Sequence, residues 1–398
     1  MKVWVFFQDG GTPDQGWGER HYYISQSLLH KNDLSYEIFA ANNSHLFKKN
    51  KNFKGLYKKC NENGTFYNWI KIPSYKKSIS LKRILSWFWF TIMTFIIGIF
   101  KKKPDIIIVS SIPLFPIYSA LVFKFLFRTK IIFEIRDIWP LSVLELSTIK
   151  ASHPFIKLLA YTERIAYKNS DHIVSVLNNA DRHIKSIIPN KKFSFTWISN
   201  GYFPASTKVY EEFNIKLKYK TIAYTGTIGE ANALEYLFDA FIELIEEGHE
   251  IQLIIAGSGP LAEEFKEKYA CSQIKFLGKI DKSAVSELLR KVDASYIGSR
   301  NKNLYQYGVS ANKIFEYMNA GKPILYSGLS NNLIEKHRLG LTCVPEDSQD
   351  IKKGIMQILN LSKNTQEEIR IRSKEILQSN FTYRVLSEKY YKLLKELS

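Results

Sequence analysis

The residues best suited to chemistry lie in a polar turn that enters a helical pattern in the last third of the chain. Ser310, Asn312 and Lys313 stand where the first N–H groups of a helix lack partners within the helix, and such groups attract anions. One turn later, Glu316 is suited to accept hydrogen bonds from adjacent hydroxyls, as on a ribose, or is a solvated helix carboxylate. The turn predicts a diphosphate site that needs no metal.

Two glycine turns follow apolar strand patterns upstream of that helix. Gly226, Thr227 and Gly229 follow the strand predicted at 221–225, and glycine there lets backbone approach a ligand closely. Packing of the next helix explains the same pattern, so both interpretations stay open. The turn at 256–260 ends in proline at a helix start, and we interpret it as structural.

The first half of the chain offers a second group of candidates, again after predicted strands. The loop from Gly10 to Gly18 is long for a connection from a strand to a helix, which favours a ligand-binding role with Gly18 and Arg20 as contacts. Arg136 and Asp137 follow the strand predicted at 130–135. They either pair with each other or take part in chemistry, because ligands of parallel sheets bind beyond the carboxyl ends of strands.

These candidates require a scaffold of alternating strands and helices. Short apolar runs alternate with helical patterns along the chain, which predicts βαβ units around parallel sheets. A length of 398 residues exceeds one ordinary core, and residues 206–220 are polar and rich in lysine. We predict two doubly wound α/β domains that face a cleft, at 1–205 and 206–382, with the helix at 383–397 able to pack back on the first.

Composition narrows the partners. The chain has 56 Lys and Arg against 38 Asp and Glu, a net charge of +18, which attracts phosphates on nucleotides, lipids or nucleic acids. The basic residues are dispersed and no nucleic-acid recognition motif is present, so we expect no nucleic-acid partner. The three cysteines are widely spaced, which predicts a reducing cytoplasm. The sequence has no D-x-D triplet for a metal that bridges a diphosphate, so we expect no metal.

One apolar segment raises the question of a membrane. Residues 84–100 are mostly apolar and are flanked by lysine and arginine, at the lower limit of a membrane span. A span would separate the first strand from the strand at 106–110 of the same sheet. A buried helix, or a helix whose Trp87, Phe88 and Trp89 face dips into a membrane interface, therefore explains the segment better.

The run from Gly308 to Pro323 resembles the donor-binding segment of family 4 glycosyltransferases of the GT-B fold. The glycine turns at 224–229 and 256–260, and the segments 136–140 and 199–201, resemble landmarks of that family in the same order. The most similar subset builds O-antigen, capsule, lipopolysaccharide and other bacterial surface polysaccharides and includes N-acetylfucosamine transferase-like enzymes. The resemblance spans the chain.

The resemblance implies a retaining hexosyltransferase that takes a sugar, an N-acetylated hexosamine or deoxyhexosamine, from a nucleotide-diphosphate sugar, with UDP expected. It implies a polyprenyl-diphosphate-linked glycan as acceptor, and hence a peripheral enzyme on the cytoplasmic face of an anionic membrane. Many family members carry two glutamates that are separated by seven intervening residues. Glu316 matches the second, and Gly308 stands where the first is expected.

Two alternative functions remain: a sugar-nucleotide epimerase of the same fold and a non-catalytic membrane adaptor.

The predicted site combines the candidates from both halves of the chain. The residues assigned to catalysis are Asp137, Lys313 and Lys302, and those assigned to substrate binding are Gly18, Arg20, Arg136, Gly226, Thr227, Gly229, Arg300, Ser310, Ala311, Asn312 and Glu316.

Overall fold

A computed structural model describes residues 1–75, 80–204 and 215–398. It consists of two units, Met1–Gly201 with Tyr383–Ser398, and Tyr202–Thr382. The domain boundary expected between residues 205 and 206 lies outside the described residues, as does most of the predicted polar linker. Each unit is built on a largely parallel sheet covered by helices, so the prediction of two α/β units is confirmed.

The alternating apolar runs form the following regular elements. The strands are β1 (Lys2–Phe6), β2 (Ser35–Ala41), β3 (Tyr57–Glu62), β4 (Thr65–Ile70), β5 (Ile106–Ser110), β6 (Lys130–Ile135), β7 (His172–Ser175), β8 (Phe195–Trp197), β9 (Lys220–Thr227), β10 (Ile251–Ser258), β11 (Ile274–Gly278), β12 (Ala294–Gly298), β13 (Ile324–Ser327) and β14 (Gly340–Cys343). The helices are α1 (Arg20–Ser27), α2 (Leu81–Ile99), α3 (Pro116–Phe127), α4 (Leu141–Leu146), α5 (Pro154–Asn169), α6 (Ala180–Ile187), α7 (Leu234–Glu246), α8 (Ala262–Tyr269), α9 (Lys282–Lys291), α10 (Asn312–Ala320), α11 (Leu333–Lys336), α12 (Ser348–Leu359), α13 (Lys363–Ile376) and α14 (Tyr383–Leu397).

The sheet of the first unit has the order β3-β4-β2-β1-β5-β6-β7-β8, and β3 alone among these pairs antiparallel to its neighbour. Side chains alternate across β1: Val3 and Val5 join one core, whereas the Trp4 ring contacts Phe39 and Phe123 on the other face. The strand order reverses direction beside β1, and ligands of such sheets bind at the carboxyl edge of this reversal.

The hairpin of β3 and β4 was absent from the sequence-based strands, although its turn carries a clear signal. Asn63 and Gly64 connect the two strands with φ angles of 54° and 92°. An Asn-Gly pair in this conformation is the preferred two-residue hairpin turn. The polar, exposed face of β3 hid the strand, because an edge strand buries too little surface to show an apolar run.

The second unit has a parallel sheet of order β11-β10-β9-β12-β13-β14. Its order reverses beside β9, whose end carries Gly226 and Thr227. Gly257 on β10 packs so closely on this end that a Cβ there would lie 1.8 Å from the Gly226 carbonyl oxygen. A Cβ on Gly259 would likewise lie 2.1 Å from the Ile228 carbonyl oxygen, which supports the structural interpretation of the 256–260 turn.

A buried carboxylate holds the first unit together. Glu134 at the end of β6 is fully buried and accepts hydrogen bonds from Arg20 Nε at 3.0 Å, Ser110 Oγ at 2.7 Å and Tyr390 Oη at 3.1 Å. His21 Nε2 lies 2.7 Å from Glu134 Oε2, the oxygen that also accepts from Ser110. Despite burial, which raises it, the pKa of Glu134 is held well below its usual value by Arg20, His21 and Ser110. These contacts join α1, β5, β6 and α14.

The apolar helix α2 is partly buried. Among the described residues it is long and apolar enough to cross a membrane by length and composition. One face packs inside the unit, however, and a Cβ on Gly98 would lie 2.6 Å from the Phe123 ring. Trp87 is buried and Trp89 Nε1 donates to the Lys71 carbonyl, so only Phe88 of the expected aromatic face is substantially exposed.

We expect Glu134→Gln to lower the free energy of unfolding by about 3 kcal/mol, because the substitution leaves the Arg20 charge buried without its counter-ion. Urea titration followed by circular dichroism measures this loss. The depressed pKa makes the Glu134 contribution complete above about pH 4.3, the value in unfolded chains, and smaller as the pH falls below it. Tyr391→Phe, which removes an exposed hydrogen bond to Asp33, is the control and should leave stability unchanged. Equal stability of the Glu134 variant would contradict the role of this network.

Candidate functional site

The helix α10 begins in the polar turn, as the sequence predicts. Its N-cap is Ala311, which has extended backbone angles and no side-chain acceptor for the first N–H groups. Ser310 stands one residue earlier and is half-buried, and Asn312 is the exposed first residue of the helix. A helix start of this kind leaves positive partial charge directed out of the helix.

Lys313 is the central cation of this helix start. Its Nζ donates to Tyr224 Oη at 2.9 Å and to Asn232 Oδ1 at 3.3 Å, and it lies 4.1 Å from the centre of the Tyr224 ring. Burial lowers the pKa of Lys313 to about 7, although the Glu316 carboxylate acts in the opposite direction. The amine thus sits among neutral partners, and an added anion would favour its charged form.

The glycine turn after β9 lies against this lysine. Gly226 has φ 132°, and a Cβ there would lie 3.1 Å from Lys313 Nζ. The Thr227 carbonyl accepts hydrogen bonds from the Tyr224 hydroxyl and from Asn232 Nδ2 at 3.0 Å. The structure therefore brings Gly226 and Lys313 together, through Tyr224 and Asn232, which the sequence analysis did not assign. Gly229 is extended and has only ordinary contacts.

Arg300 forms ion pairs with carboxylates of the protein. Its guanidinium contacts the carboxylates of Glu230, Glu235 and Glu346. Its Nε also donates to the Glu230 carbonyl at 2.6 Å. Three carboxylates around one guanidinium leave no net positive charge, so the expected role of Arg300 in donor binding is not supported by its surroundings.

Lys302 and Glu316 differ in their surroundings. Lys302 is exposed, and its backbone caps the 3-10 turn Asn303–Tyr307, with no packing in the described part of the chain that would hold its amine beside Lys313. Glu316 is half-buried. The pKa of Tyr202 is raised by burial, which is the larger cause, and by the negative charge of Glu316. Glu316 therefore belongs to the same surface as Lys313 and Tyr202, and Lys302 is not fixed there.

Gly308 has a backbone that explains why no glutamate stands at this position. Its φ of 110° and ψ of 163° lie in a region that only glycine adopts readily. Any side chain would strain the connection between the 3-10 turn and α10. The departure from the two-glutamate pattern is thus built into the local backbone.

In the first unit, Arg20 is a structural residue rather than a substrate contact. It is buried, and its guanidinium donates to Glu134, to the Ile198 carbonyl at 2.7 Å and to the Ser199 carbonyl. Gly18 has φ 73°, and a Cβ there would lie 1.8 Å from the Asp9 carbonyl oxygen. Gly18 therefore allows the loop to fold on itself.

Asp137 caps its own loop. Its carboxylate accepts hydrogen bonds from Ile138 N at 2.9 Å, Trp139 Nε1 at 3.2 Å and the Ser142 hydroxyl. Burial raises the pKa of Asp137 against these contacts. With its oxygens occupied, Asp137 is positioned to shape the loop before α4, and a direct catalytic role has less geometric support than expected.

Arg136 belongs to a polar cluster that the sequence analysis did not identify. Its guanidinium lies 4.5 Å from the Phe7 ring centre, and its buried Nε has no hydrogen-bond partner among the described residues. Asp9 after β1 is buried, and its Oδ1 likewise has no described partner. Burial raises the pKa of Asp9, whereas Ser44, Arg83 and Arg136 lower it. We name Asp9, Ser44, Arg83 and Arg136 the Asp9 cluster.

His45 adjoins the Asp9 cluster. Its ring lies 5.7 Å from that of Tyr75, and burial, with Arg83, lowers the pKa of His45 to about 4. The histidine is therefore neutral at pH 7 and able to accept or donate a hydrogen bond. The positions of Asp9 and His45 could have indicated this cluster from the sequence. Both residues follow neighbouring strands, and the carboxyl ends of the strands of a parallel sheet lie at the same edge.

Among the described residues, no group of three or more His, Cys, Asp or Glu side chains is arranged to hold a metal ion. Metal independence stays a prediction, because a nucleotide sugar can bring a metal that the protein itself does not coordinate.

Comparison with known protein families gives one match, and it lies in the second unit. Residues 219–361 match a family model described as glycosyl transferases group 1. This segment contains β9, the glycine turn and α10, and thus the whole surroundings of Lys313. No curated protein sequence matches the chain significantly.

Solved structures match the chain over its whole length. Sucrose-phosphate synthase from Thermosynechococcus elongatus is 13% identical, with a TM-score of 0.74, and the match covers 100% of this chain and 98% of that one. Anabaena HepE in complex with UDP and glucose is 11% identical, with a TM-score of 0.65 and full coverage of both chains. A structure described as trehalose-6-phosphate from E. coli bound with UDP-2-fluoro glucose is 12% identical, with a TM-score of 0.74, covering 100% of this chain and 99% of that one. The fold is therefore GT-B-like.

We expect Gly308→Glu, which restores the two-glutamate spacing, to lower the free energy of unfolding by about 1–3 kcal/mol and to weaken donor binding, because the backbone there excludes a side chain. Thermal unfolding and calorimetric titration with UDP-glucose measure both effects. Gly248→Ala, at an exposed turn with φ 87° and open space around it, is the control and should leave binding unchanged. A stable Gly308→Glu variant with tighter binding would refute this explanation.

Proposed function

We propose that this chain, which has a GT-B-like fold and a group 1 glycosyltransferase segment in its second unit, transfers a sugar from a nucleotide-diphosphate sugar to a lipid-linked glycan. The observation that carries the proposal is the position of Lys313. Its amine is held between the uncapped start of α10 and the glycine turn, with neutral partners and, among the described residues, no carboxylate in hydrogen-bond contact.

The donor diphosphate occupies this helix start in the proposed complex. The first N–H groups of α10 and the Lys313 amine supply positive charge, and Gly226 leaves room for an oxygen where a side chain would crowd the amine. When the sugar departs, negative charge grows on the diphosphate. Donors already aimed at that charge lower the barrier without reorganisation.

Glu316 is proposed to bind the ribose hydroxyls. It lies one turn beyond Lys313 on the same helix, at the spacing that separates a diphosphate from its ribose. The pairing with UDP rests on similar structures of HepE, which are complexes with UDP and glucose or with UDP-glucose. Retention of configuration and an N-acetylated sugar rest on the family resemblance alone.

The acceptor is proposed to contact the Asp9 cluster of the first unit. A sugar hydroxyl suits the unpartnered Oδ1 of Asp9, and the Arg136 Nε suits an oxygen of the acceptor. This assignment replaces the expected roles of Arg20 and Asp137, whose polar groups are occupied within the protein. A polyprenyl-diphosphate carrier on the cytoplasmic side of the membrane, in surface-polysaccharide synthesis, completes the proposal.

We expect the affinity for UDP-glucose to be highest below pH 7 and to fall as the pH rises above 7. Without a bound donor, the Lys313 amine has a pKa of about 7. A bound diphosphate would raise that pKa, so binding takes up a proton. Calorimetric titrations between pH 6 and 9 in buffers of different ionisation enthalpy measure the proton uptake.

Lys313→Arg is the matched variant, because arginine stays charged over this range, and its affinity should not depend on pH. Lys313→Ala should lower turnover about a hundred- to a thousand-fold, as the loss of one preorganised donor does elsewhere. Near-normal turnover of Lys313→Ala, or proton uptake unchanged in Lys313→Arg, would contradict the assignment. Donor binding without any turnover in the wild type would favour the adaptor alternative.

We expect Asp9→Asn to reduce transfer to a synthetic polyprenyl-diphosphate-linked N-acetylhexosamine about tenfold or more in kcat/KM, the value of a charged hydrogen bond. The Kd for UDP-glucose should not change, since Asp9 belongs to the first unit. Asp14→Asn, an exposed residue of the same loop, is the control. A loss of donor affinity in the Asp9 variant would instead point to misfolding or to a donor contact.

A further inference from the structure

The exposed side of α2 is an apolar stripe along its whole length. Its members follow the three- and four-residue spacing of one helix face, and Leu81 and Phe100 at the two ends are 79% and 86% exposed. The stripe consists of Leu81, Leu85, Phe88, Ile92, Ile96, Ile99 and Phe100. At 1.5 Å per residue, the helix extends roughly 28 Å.

The neighbouring helix α3 continues this stripe. Phe125 is 86% exposed, and Val122 and Leu126 are exposed beside it. The two helices pack directly on each other, with Gly98 of α2 against Phe123 of α3. The result is an apolar surface of two helices, which we name the α2–α3 surface. Soluble proteins rarely expose so many adjoining large apolar side chains without a partner.

Helix α13 of the second unit has a charged exposed surface. The exposed residues of α13 in the second unit include Glu367, Glu368 and Arg370. The sequences of α2 and α3 contain no acidic residue at all. The exposed apolar residues of α2 and α3 are therefore not accompanied by the acidic side chains that α13 presents.

Exposed cations border the α2–α3 surface at both ends. Lys82 stands at the first turn of α2, and Lys102, Lys103 and Arg128 follow the ends of α2 and α3. The intervening Lys101 and Lys124 are held by Glu37 and Asp171 and extend the basic character less. An apolar face bordered by lysine and arginine matches the acyl chains and anionic headgroups of a bilayer surface.

We propose that the α2–α3 surface docks the protein flat on an anionic lipid bilayer. Spanning is excluded by the opposite face of α2, where Trp87, Phe90 and Met93 are buried in the first unit. A second copy of this chain fits less well, since two such surfaces would bring cations together with no acidic residue on either helix to pair with them. The proposal concerns a different surface from the nucleotide site and does not require it.

Flotation with vesicles of phosphatidylglycerol and phosphatidylcholine tests the proposal on the full chain. The wild type should float with anionic vesicles at low salt, and far less with pure phosphatidylcholine or at high salt. Lys102→Gln with Lys103→Gln should lower the partition coefficient about 25-fold, since each cation near such a surface contributes about fivefold. These two positions are exposed, so the variant tests charge without disturbing the core.

Ile92→Glu with Phe125→Glu should abolish flotation, and Ile371→Glu, at a comparably exposed apolar residue of α13, is the matched control and should not. Thermal stabilisation by UDP-glucose without vesicles should be the same in all folded variants, which separates docking from donor binding. A wild type that does not float at low salt would overturn the proposal. So would a wild-type dimer, measured by light scattering, that the Ile92 and Phe125 substitutions dissociate.

Discussion

The first unit depends on a carboxylate that is removed completely from water. A buried charge is costly unless several groups satisfy it, and Glu134 is satisfied by Arg20, His21, Ser110 and Tyr390. Because Tyr390 comes from α14, the end of the chain has to return to the first unit after the second is complete. Arg20 also holds the carbonyls of residues 198 and 199, so the same interaction fixes the end of β8 and the start of α1.

The candidate cations differ in whether carboxylates of the protein already neutralise their charge. Arg20, Arg300 and Lys313 are all cations beside the ends of strands. Arg20 and Arg300 are neutralised by carboxylates of the protein, whereas Lys313, within the described part of the chain, donates only to neutral oxygens and has a pKa lowered to about 7 by burial. A ligand anion gains most from the cation whose charge the protein has left uncompensated.

Helix α2 combines two surfaces that are usually found in different proteins. Its inner face closes the core of the first unit against Trp4 and Phe123, and its outer face is as apolar as the inner one. A helix that is apolar all round is normally buried or in lipid. Here the sheet supplies one apolar environment, and the proposed bilayer supplies the other. The Asp9 cluster includes Arg83, which lies in the first turn of the same helix.

The sequence by itself determined the class of fold and the helix start at which we propose that the diphosphate binds, because both depend on local pattern: strand and helix periodicity, glycine turns, and the Ser310–Glu316 spacing. The hairpin with the Asn63-Gly64 turn was not predicted, because its edge strand is polar, although an Asn-Gly pair is typical of such a turn. Only the tertiary structure decided the partners. Arg300 and Arg20 had the right chemistry and position, but their carboxylate partners, such as Glu346 at Arg300, are distant in sequence. Asp137 is occupied by residues of its own loop, Ile138, Trp139 and Ser142, because of the way that loop folds. Tyr224, Asn232 and Asp9 gain significance only from what surrounds them, which no spacing along the chain encodes.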